Sequence, residues 1–426
     1  MSKLNKEKIA VIGSGISGLS SAYFLSDKYQ IKLFEKHDYL GGHSNTVDID
    51  YLGKSISVDT GFIVFNQKTY PNLVNFFKLL DVAYEKSNMS FAVKIDDSFL
   101  EYAGTNLFSL FAQKKNIIKP KFWRMIYDIL YFNKNALKIV ENKPKNKYNI
   151  ANLIDDLGVG DYFVNYYLLP MSGAIWSCST QTMLKYPAHS FLRFFKNHGL
   201  LSVNEQPQWY TVTGGSKNYV NKIRNKIGDQ NISLNSFIYE VRHKSSGKIS
   251  IISDKGEEIF DKVILACHAD QSLKMLKKPE EKQIDFLSSF KYQKNLAILH
   301  KDDSVMPKAK KAWASWVYSK NKNDKINQIS VSYWMNNLQN IDKSFPLFVT
   351  LNPNQKINQS DIFADIVYEH PIFDKKAIIA QRNSKKAQGI NNIYFCGAYM
   401  ANGFHEDGIN SGLYVSNILG SKAPWQ

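Results

Sequence analysis

The chain has 426 residues, 44% of them hydrophobic, and a formal net charge of +16. Its length exceeds the size at which a single core usually stops growing, which predicts two domains or one elaborated domain. Only five of the 54 basic residues are arginine, the side chain that commonly reads bases through paired hydrogen bonds. We therefore expect a lysine-rich solvated surface and no nucleic-acid partner, although such a surface also suits contact with anionic membranes.

The spacing of the cysteine and histidine residues indicates neither a disulfide framework nor a metal site. The three cysteines (Cys178, Cys267 and Cys396) lie far apart and form no CxxC pair, which is typical of a chain in a reducing cytoplasm. The nine histidines form no HxH, HxxxH or HExxH pair, so we expect no metal site. We also expect no membrane-spanning helix, because no apolar run reaches about 18 residues.

The amino-terminal segment predicts one βαβ unit. Residues 8–13, "KIAVIG", form a short β-branched run that ends at glycine, and residues 17–27 have the apolar spacing of a helix. Residues 31–36, "IKLFEK", form the next strand. Strands without polar alternation indicate a parallel sheet buried on both faces. The predicted fold class is α/β with a Rossmann-like domain, and the glycine-rich run does not suggest a signal peptide.

A GxGxxG motif occupies the corner between the first strand and the helix. Gly13 permits the tight turn, Gly15 lets the backbone approach a pyrophosphate, and Gly18 lets the helix pack closely on the sheet. Glu35 follows Gly15 by twenty residues, the distance at which a carboxylate accepts hydrogen bonds from a ribose. Together these features predict that the turn binds a dinucleotide cofactor. Further predicted contacts of this dinucleotide are Ile16, Ser17 and Lys36. The alternative is a glycine-rich turn without a ligand.

A second glycine pair indicates which dinucleotide is bound. Gly41 and Gly42 follow the acidic strand end within "LGGHSNT". They would let the chain pass close to the diphosphate and ribityl chain of a flavin, a feature that an enzyme using NAD alone does not need. The sequence therefore favours FAD.

Several segments together resemble a known superfamily. "VIGSGISGLS", "LGGHSNTVDI", "VDTGFIVFN", "TVTGGSKNYV" and "GFHEDGINSGL" are similar to flavin amine oxidases and phytoene desaturases, and most of all to a bacterial subgroup of predicted NAD/FAD-binding proteins. The resemblance implies FAD and two discontinuous domains. Residues 1–70, 205–275 and 385–426 would form a Rossmann-like FAD-binding domain, and residues 71–204 and 276–384 an α+β substrate-binding domain.

The resemblance also transfers roles to residues near the second glycine pair. His43 stands where the superfamily often has arginine, so backbone amides would make the phosphate contact there. Asp59 and Gly61 match the acid and glycine of a segment that returns to the flavin, with a β-hairpin turn as the alternative. Covalent flavin attachment at His43 or His405 stays open beside the usual noncovalent mode.

The carboxy-terminal stretch supplies the second half of the expected site. Gly397 matches the superfamily, but Ala398 stands where an acid usually contacts the ribityl chain, so Glu406 or Asp407 would replace that acid. Gly408 and Ile409 would open the last helix and direct its amides at the flavin. We predict that His405 and Glu406 are catalytic. The alternative is a solvated turn in which Asp407 caps the helix.

Two aromatic regions allow two interpretations each. Residues 70–200 have helical patterns with few strand signals. Within them, residues 114–132 form either a helix at a membrane interface or a solvated amphipathic helix. Four aromatic side chains further along either line an apolar substrate cavity or fill the core: Trp313, Trp316, Tyr333 and Trp334.

The expected activity is an FAD-dependent oxidation or desaturation of an apolar, fatty-acyl or lipid-like small molecule. The lipid is suggested by the resembling subgroup, whose genes often accompany cyclopropane-fatty-acid-synthase-like methyltransferases. Alternatives are a flavin-containing amine oxidase, a redox-neutral mutase or isomerase, and a flavin-binding protein without turnover. We expect a cytoplasmic protein, with peripheral contact at the inner membrane surface left open. The sequence also leaves the electron acceptor and the oligomeric state open.

Overall fold

The computed structural model describes residues 6–95, 99–144, 147–202, 206–321 and 329–426. In chain order its strands are β1 Lys8–Ile12, β2 Gln30–Phe34, β3 Thr46–Tyr51, β4 Lys54–Asp59, β5 Phe65–Asn66, β6 Tyr84–Ser87, β7 Phe91–Ile95, β8 Leu100–Ala103, β9 Trp209–Val212, β10 Ile232–Ser233, β11 Ile238–His243, β12 Ile249–Ser253, β13 Gly256–Phe260, β14 Lys262–Leu265, β15 Leu276–Lys277, β16 Lys291–His300, β17 Trp316–Lys320, β18 Ser330–Trp334, β19 Phe348–Leu351, β20 Ile362–Ile372 and β21 Ile393–Phe395. Its helices are α1 Ile16–Leu25, α2 Pro71–Leu79, α3 Leu107–Leu110, α4 Pro120–Glu141, α5 Ile150–Leu157, α6 Asp161–Phe163, α7 Leu169–Trp176, α8 Thr180–Leu184, α9 Ala188–Asn197, α10 Lys217–Ile227, α11 Ala269–Met275, α12 Glu281–Leu287, α13 Met335–Leu338, α14 Lys375–Asn383 and α15 His405–Ile418.

The amino-terminal βαβ unit belongs to a five-stranded parallel sheet of order β10-β2-β1-β14-β21. Ile9 and Val11 of β1 pack into a core with side chains of α1, α10 and α15. Ala10 and Ile12 point to the opposite face, into a core that includes side chains of β11, β12 and α12. Because alternate residues of a strand face opposite sides, an unbroken apolar run suits burial on both. The predicted parallel, doubly covered sheet is confirmed.

A second sheet builds the other half of the molecule. Its order is β20-β16-β19-β18-β17-β7-β8, and it shares the largest hydrophobic core with side chains of helices α4 to α9. Strand β7 lies parallel to β17, with Phe91 opposite Trp316. Smaller sheets are β13-β12-β11-β15, β3-β4 and β5-β9-β6. The sheets thus divide the chain discontinuously, while the exact domain boundaries given above stay a prediction.

The expectation of few strands within residues 70–200 needs correction. Strands β6, β7 and β8 lie there, between residues 84 and 103. Their partners are distant in sequence: β6 pairs with β9 and β7 with β17. Local patterns carry no information on such pairing, because the packing that stabilises a strand comes from its neighbours.

The last helix also differs from the expectation. It begins at His405, one turn before the predicted start at Gly408. The cause is Asp407, whose Oδ2 accepts the backbone N–H of Phe404 at 3.0 Å and that of Asn402 at 3.1 Å. A carboxylate that reaches back to the amides at a helix start extends the helix in that direction.

The described part of the chain contains no helix that is long and apolar enough to cross a membrane. The lysine, asparagine and proline content of residues 141–149 predicts an exposed loop, of which residues 145–146 lie outside the described part.

Candidate functional site

The GxGxxG corner is built by close contacts that only glycine allows. Gly13 has a φ of 103°, and a Cβ there would lie 2.9 Å from the carbonyl oxygen of Ala266. A Cβ on Gly18 would lie 1.9 Å from the carbonyl oxygen of Gly13. The first glycine therefore fits against the neighbouring strand end and the third lets α1 rest on the turn, as the motif requires.

Gly15 differs from the other two glycines because its missing side chain faces open space. No atom of the described protein lies within 4 Å of the position that its Cβ would take, and Gly15 lines a large cavity. It is also the N-cap of α1, where no side chain accepts a hydrogen bond from the helix. Amides at such a helix start favour an anionic group. Gly15, Ile16 and Ser17 line the cavity together, so this corner can accept a pyrophosphate.

Glu35 follows β2 and faces the same cavity. Its Oε2 accepts hydrogen bonds from the backbone N–H of Ser14 at 2.9 Å and from Ser14 Oγ at 2.6 Å. Its Oε1 accepts one from the N–H of His37 at 3.1 Å. A carboxylate has about four acceptor positions, so these three bonds orient Glu35 and leave capacity for a ribose hydroxyl. Lys36 lies exposed at the rim of the cavity beside it.

The second glycine pair packs directly on the first motif. Gly41 and Gly42 have φ values of 117° and 60°. Gly41 donates its N–H to the Ser14 carbonyl oxygen at 3.1 Å, and a Cβ on Gly42 would lie 3.2 Å from the Cα of Gly15. The two turns therefore form one continuous wall of backbone along the cavity, with Gly41 and Gly42 in its lining.

His43 is a buried imidazole in the lining of the cavity. Its ring stacks on Tyr368 with centroids 4.7 Å apart and lies 5.3 Å from the ring of His370. Its Nε2 has no hydrogen-bond partner among the described residues. Burial, with a smaller contribution from His268, lowers the pKa of His43 to about 4. The imidazole is therefore neutral at ordinary pH.

Asp59 lies away from the cavity, although the sequence predicts a cofactor contact. Its Oδ1 accepts hydrogen bonds from Thr46 Oγ1 at 2.5 Å and from Ser216 Oγ at 2.7 Å. The Ser216 N–H and Gln339 Nε2 donate to the same carboxylate. Asp59 thus ties β4 to the start of α10 and to residue 339. Ser216 uses its hydroxyl for this bond and does not cap α10 as expected.

Gly61 does line the cavity. A Cβ there would lie 2.3 Å from the carbonyl oxygen of His43, so only glycine lets this segment rest on the second glycine turn. The hairpin of β3 and β4 turns at Leu52 and Gly53, so residues 59–61 follow its second strand and do not form its turn.

His405 is held in a buried polar network. Its Nε2 lies 2.9 Å from both Ser44 Oγ and Tyr219 Oη, which also contact each other. The ring stacks on Phe62 at 3.7 Å between centroids. Burial, followed by a contribution from His43, lowers the pKa of His405 to about 3. His405 lines the cavity, but its partners fix it in place. Sequence reasoning did not identify Ser44, Tyr219 or Phe62, because no local spacing connects them.

Glu406 and Asp407 do not line the cavity. Glu406 accepts the backbone N–H of Asn72 and that of Leu73, each at 3.0 Å, and so caps the start of α2. Asp407 accepts the amides before α15 described above. Burial raises the pKa of Asp407 to about 6 and raises that of Glu406. The geometry gives both carboxylates helix-capping contacts in place of the predicted contacts with cofactor or substrate.

The remaining carboxy-terminal residues divide between cavity and packing. Gly397 and Ala398 line the cavity, and Gly397 donates its N–H to Ser411 Oγ at 2.9 Å. Gly408 lies against α1, where its Cβ would be 2.6 Å from Ile16 Cγ2. Ile409 is fully buried in the core beside α1. The two helices therefore pack closely where the sequence predicts a flavin contact from Gly408 and Ile409.

The cavity has a volume of about 2030 Å³, about twice the upper range for small-molecule sites. It extends from the glycine turns and Glu35 to a far end formed by apolar residues of α3, α4 and α7, among them Leu107, Leu130 and Ile175. Trp316 and Tyr333 line it, whereas Trp313 and Trp334 pack in a small separate core. Trp316 and Tyr333 are therefore the two aromatic residues placed to line a substrate cavity, and Tyr333 belongs to the main hydrophobic core as well.

Two other expectations concern reactive side chains. Cys267 lines the cavity, and burial raises the pKa of its thiol to about 11, so the thiol stays protonated. The described residues contain no group of three or more histidine, cysteine, aspartate or glutamate side chains placed to hold a metal ion.

Comparisons with known proteins agree with this architecture. A family model described as an NAD(P)-binding Rossmann-like domain matches residues 11–80. A CLA-producing fatty acid isomerase from P. acnes has a TM-score of 0.67 at 12% identity, over 98% of this chain and 99% of its own. Cyclohexylamine oxidase from Brevibacterium oxydans IH-35A has a TM-score of 0.70 at 11% identity, over 97% and 98%. Reduced UDP-galactopyranose mutase has a TM-score of 0.66 at 15% identity, over 98% and 94%.

The sequence predicts FAD, and the residues present fit it. Gly15 leaves open space at a helix start, Glu35 is oriented beside it, and His43 and Gly397 line the same cavity. The chain therefore has the fold of these solved structures, and its residues 11–80 match a Rossmann-like dinucleotide-binding domain whose glycine turns and Glu35 fit FAD.

Proposed function

We propose that the protein is an FAD-dependent oxidoreductase that oxidises or desaturates an apolar, fatty-acyl or lipid-like substrate. The observation that carries this proposal is the single cavity that joins the glycine turns to an apolar far end. A site that holds a cofactor at one end and apolar side chains at the other suits a long hydrocarbon.

The chain's residues would divide the cofactor between them. Glu35 and Lys36 would contact the adenosine ribose, and the amides of Gly15, Ile16 and Ser17 the diphosphate. The backbone of Gly41, Gly42 and Gly61 would follow the ribityl chain. His43, Gly397 and His405 would lie nearest the flavin ring, opposite the apolar part of the cavity.

When bound, FAD supplies an acceptor for a hydride from the substrate. The protein's part is then to orient the substrate and exclude water. The imidazoles of His43 and His405 have pKa values lowered by burial to about 4 and about 3, which makes them weak bases. This suits a reaction that needs little acid–base catalysis. Trp316 and Tyr333, whose rings meet edge to face at 4.8 Å, would position the apolar chain.

An amine oxidase is the first alternative, because cyclohexylamine oxidase shares the fold. Among the described residues that line the cavity, the carboxylates are Glu35, Asp365 and Glu369. The first lies at the dinucleotide turn, and the other two lie on β20, where Glu369 faces His268. The described residues of the apolar end therefore include no carboxylate to hold an ammonium group, which favours a neutral substrate.

A redox-neutral isomerase or mutase is the second alternative. It is favoured by the shared fold of the fatty acid isomerase and of UDP-galactopyranose mutase. A flavin-binding protein without turnover is the third. Product mass distinguishes them: desaturation removes two hydrogen atoms, isomerisation leaves the mass unchanged, and a binding protein yields no product.

The test is anaerobic reduction of the purified flavoprotein. Unsaturated or methyl-branched acyl phospholipids should bleach the oxidised-flavin absorbance, simple amines should not, and mass spectrometry should find the desaturated lipid. Trp316→Leu should raise the substrate KM about tenfold or more, because one buried aromatic contact is worth ~1.5–3 kcal/mol. Trp313→Leu, on a tryptophan packed outside the cavity, is the matched control. Bleaching by amines alone would contradict the lipid proposal.

A further inference from the structure

We propose that an exposed apolar surface at the mouth of the cavity docks on an anionic phospholipid bilayer, so that an acyl chain passes from the membrane into the cavity. We call it the entrance surface. Its members are the exposed side chains of Phe99, Leu107, Phe108, Ile117, Ile118, Trp123, Tyr127 and Leu130. The docking proposal does not depend on the proposed function. The proposed passage of an acyl chain into the cavity does depend on it.

The entrance surface is a cluster and not a scatter of single residues. Ile118 is 83% exposed, Phe108 79% and Leu107 73%. Isolated exposed apolar residues are normal on protein surfaces, but contiguous patches mark interaction sites. A contact joins two of the members, because Trp123 Nε1 donates to the Ile117 carbonyl oxygen at 2.7 Å. The ring of Trp123 also lies 5.2 Å from that of Phe111, the residue that ends α3.

Helix α4 shows that the apolar exposure is localised. Its inner face buries Phe122, Met125 and Phe132 in the main core, which accounts for one apolar face. Its outer face carries Trp123, Tyr127 and Leu130, spaced as neighbours on one side of a helix. Further along the same side the exposed residues are lysines (Lys134 and Lys138). Only the half of α4 near the cavity mouth has a second apolar face.

Exposed basic residues lie in the same stretch of the chain as the entrance surface. The exposed charged residues of the described part of 99–130 are Lys114, Lys115, Lys121 and Arg124. The acids of the same stretch, Glu101 and Asp128, are buried, and Asp128 pairs with Arg124 at 2.8 Å. Exposed apolar side chains interspersed with exposed cations match a bilayer that carries anionic headgroups. A second protein copy would bring the same cations to the interface and repel them.

Lys119 supports the same assignment. Its Nζ lies 5.1 Å from the centre of the Phe99 ring. Partial burial, and then repulsion from Lys115, lowers its pKa. An anionic headgroup beside these two lysines would relieve that repulsion, so the surface gains favourable contacts with a phosphate layer.

The entrance surface is continuous with the cavity. Leu107 and Leu130 are both more than half exposed, and both line the cavity. Ile126, Ile129 and Asn133 continue the wall inward on α4. An acyl chain that leaves the bilayer at this point would enter the cavity beside Leu107, Leu130, Ile126 and Ile129. The described residues include no helix able to span a membrane, so the contact is peripheral.

The binding test uses the full-length flavoprotein and sedimented vesicles. Binding to phosphatidylcholine–phosphatidylglycerol vesicles should exceed binding to phosphatidylcholine alone and should weaken as salt is raised. Phe108→Ser with Ile118→Ser should lower binding at least tenfold. The matched control is Leu52→Ser, because Leu52 is 85% exposed on the β3–β4 hairpin. Equal loss in that control, or binding unchanged by the double variant, would overturn the proposal.

Charge is tested separately. Lys114→Glu with Lys121→Glu should also lower binding at least tenfold, whereas Lys375→Glu with Lys376→Glu, at exposed positions on α14, should not. A concentration-dependent dimer that is lost in the Phe108→Ser, Ile118→Ser variant, without vesicle binding, would assign the surface to a second copy and refute membrane docking.

A last measurement separates docking from the reaction. If both proposals hold, the Phe108→Ser, Ile118→Ser variant should reduce its flavin normally with dispersed short-chain acyl substrate but much more slowly with vesicles. Vesicle binding without flavin reduction by any lipid would preserve docking and refute the proposed function. Reduction by vesicles at the wild-type rate in the variant would refute the access route.

Discussion

Gly15 is the residue at which cofactor binding and protein stability can be separated. Its Cβ would meet no protein atom, and its φ of −62° suits any residue. Gly15→Ala should therefore lower the Tm of the flavin-free protein by no more than a few degrees, since alanine in place of glycine at an N-cap costs up to about 1 kcal/mol. It should nevertheless lower flavin retention at least tenfold, because the methyl group would enter the diphosphate position.

The matched control for Gly15→Ala is Gly104→Ala. Gly104 also has no atom within 4 Å of its Cβ position, and it lines the far end of the cavity. Flavin content of both purified variants, released by acid and measured by absorbance, checks the expectation. Normal flavin content in Gly15→Ala would mean that the dinucleotide lies elsewhere.

Residues whose role depends on a local turn could be predicted from sequence. Gly13, Gly15, Gly18 and Glu35 lie within one βαβ unit, where spacing determines geometry. Glu406 could not be predicted, because its partners are the amides of residues 72 and 73, more than 330 positions away. Its charge suggested chemistry, and only the fold shows which helix start it faces.

The stability of helix α2 depends on the carboxylate of Glu406, which caps its start. Glu406→Ala would leave the buried N–H of Leu73 and the half-buried N–H of Asn72 without this acceptor, at a cost of ~1–3 kcal/mol in the free energy of unfolding. Thermal denaturation should show a lower Tm, while turnover per bound flavin should stay near that of the wild type. The exposed Glu141 at the end of α4 is the control, and Glu141→Ala should change neither quantity. Wild-type stability with lost turnover would instead support the catalytic role predicted from sequence.

Elements were predictable where their own residues determine their burial. Strand β1 and helix α1 are found within one or two residues of their predicted limits, because an unbroken apolar run and a glycine turn define them. Strands β6 and β7 were missed because β9 and β17 complete their pairing from far along the chain. Helix α15 begins a turn early because Asp407 reaches back across its start.

At the scale of the whole molecule, buried histidines should control stability in acid. Burial lowers the pKa of His43, His268 and His300 to about 4 and that of His370 and His405 to about 3. The unfolded chain binds protons at these sites near pH 6.5, so the folded state loses stability as pH falls from about 6.5 towards 4.

Three carboxyls oppose this trend, Glu406 among them because burial raises its pKa. Burial raises the pKa of Asp59 and of Asp407 to about 6, so the fold favours their protonated forms and gains stability as pH falls through that value. Five imidazoles with shifts at least as large outweigh them. We expect a net loss on the order of several kcal/mol, visible as a Tm that drops between about pH 6.5 and 4.

A histidine variant tests whether buried imidazoles cause this dependence of Tm on pH. His300 is fully buried on β16, away from the cavity lining, and its Nε2 lies 2.8 Å from Thr350 Oγ1. His300→Gln should make the dependence of Tm on pH shallower, whereas the same change at the exposed His243 should not. A Tm that rises on acidification in the wild type would show that the carboxyls dominate.

The packing of α15 on α1 also has a consequence for biosynthesis. The last strand and helix follow residue 392 and complete a wall whose other parts lie before residue 62. A ribosome adding roughly 5–20 residues per second needs about 20–80 s to pass from the start of α1 at Ile16 to the start of α15 at His405. During that interval the face of α1 that packs on α15 stays exposed in the nascent chain, because α15 has not yet been synthesised. We therefore expect flavin loading after release from the ribosome, and a chain truncated before α15 to be retained by chaperones as an apoprotein.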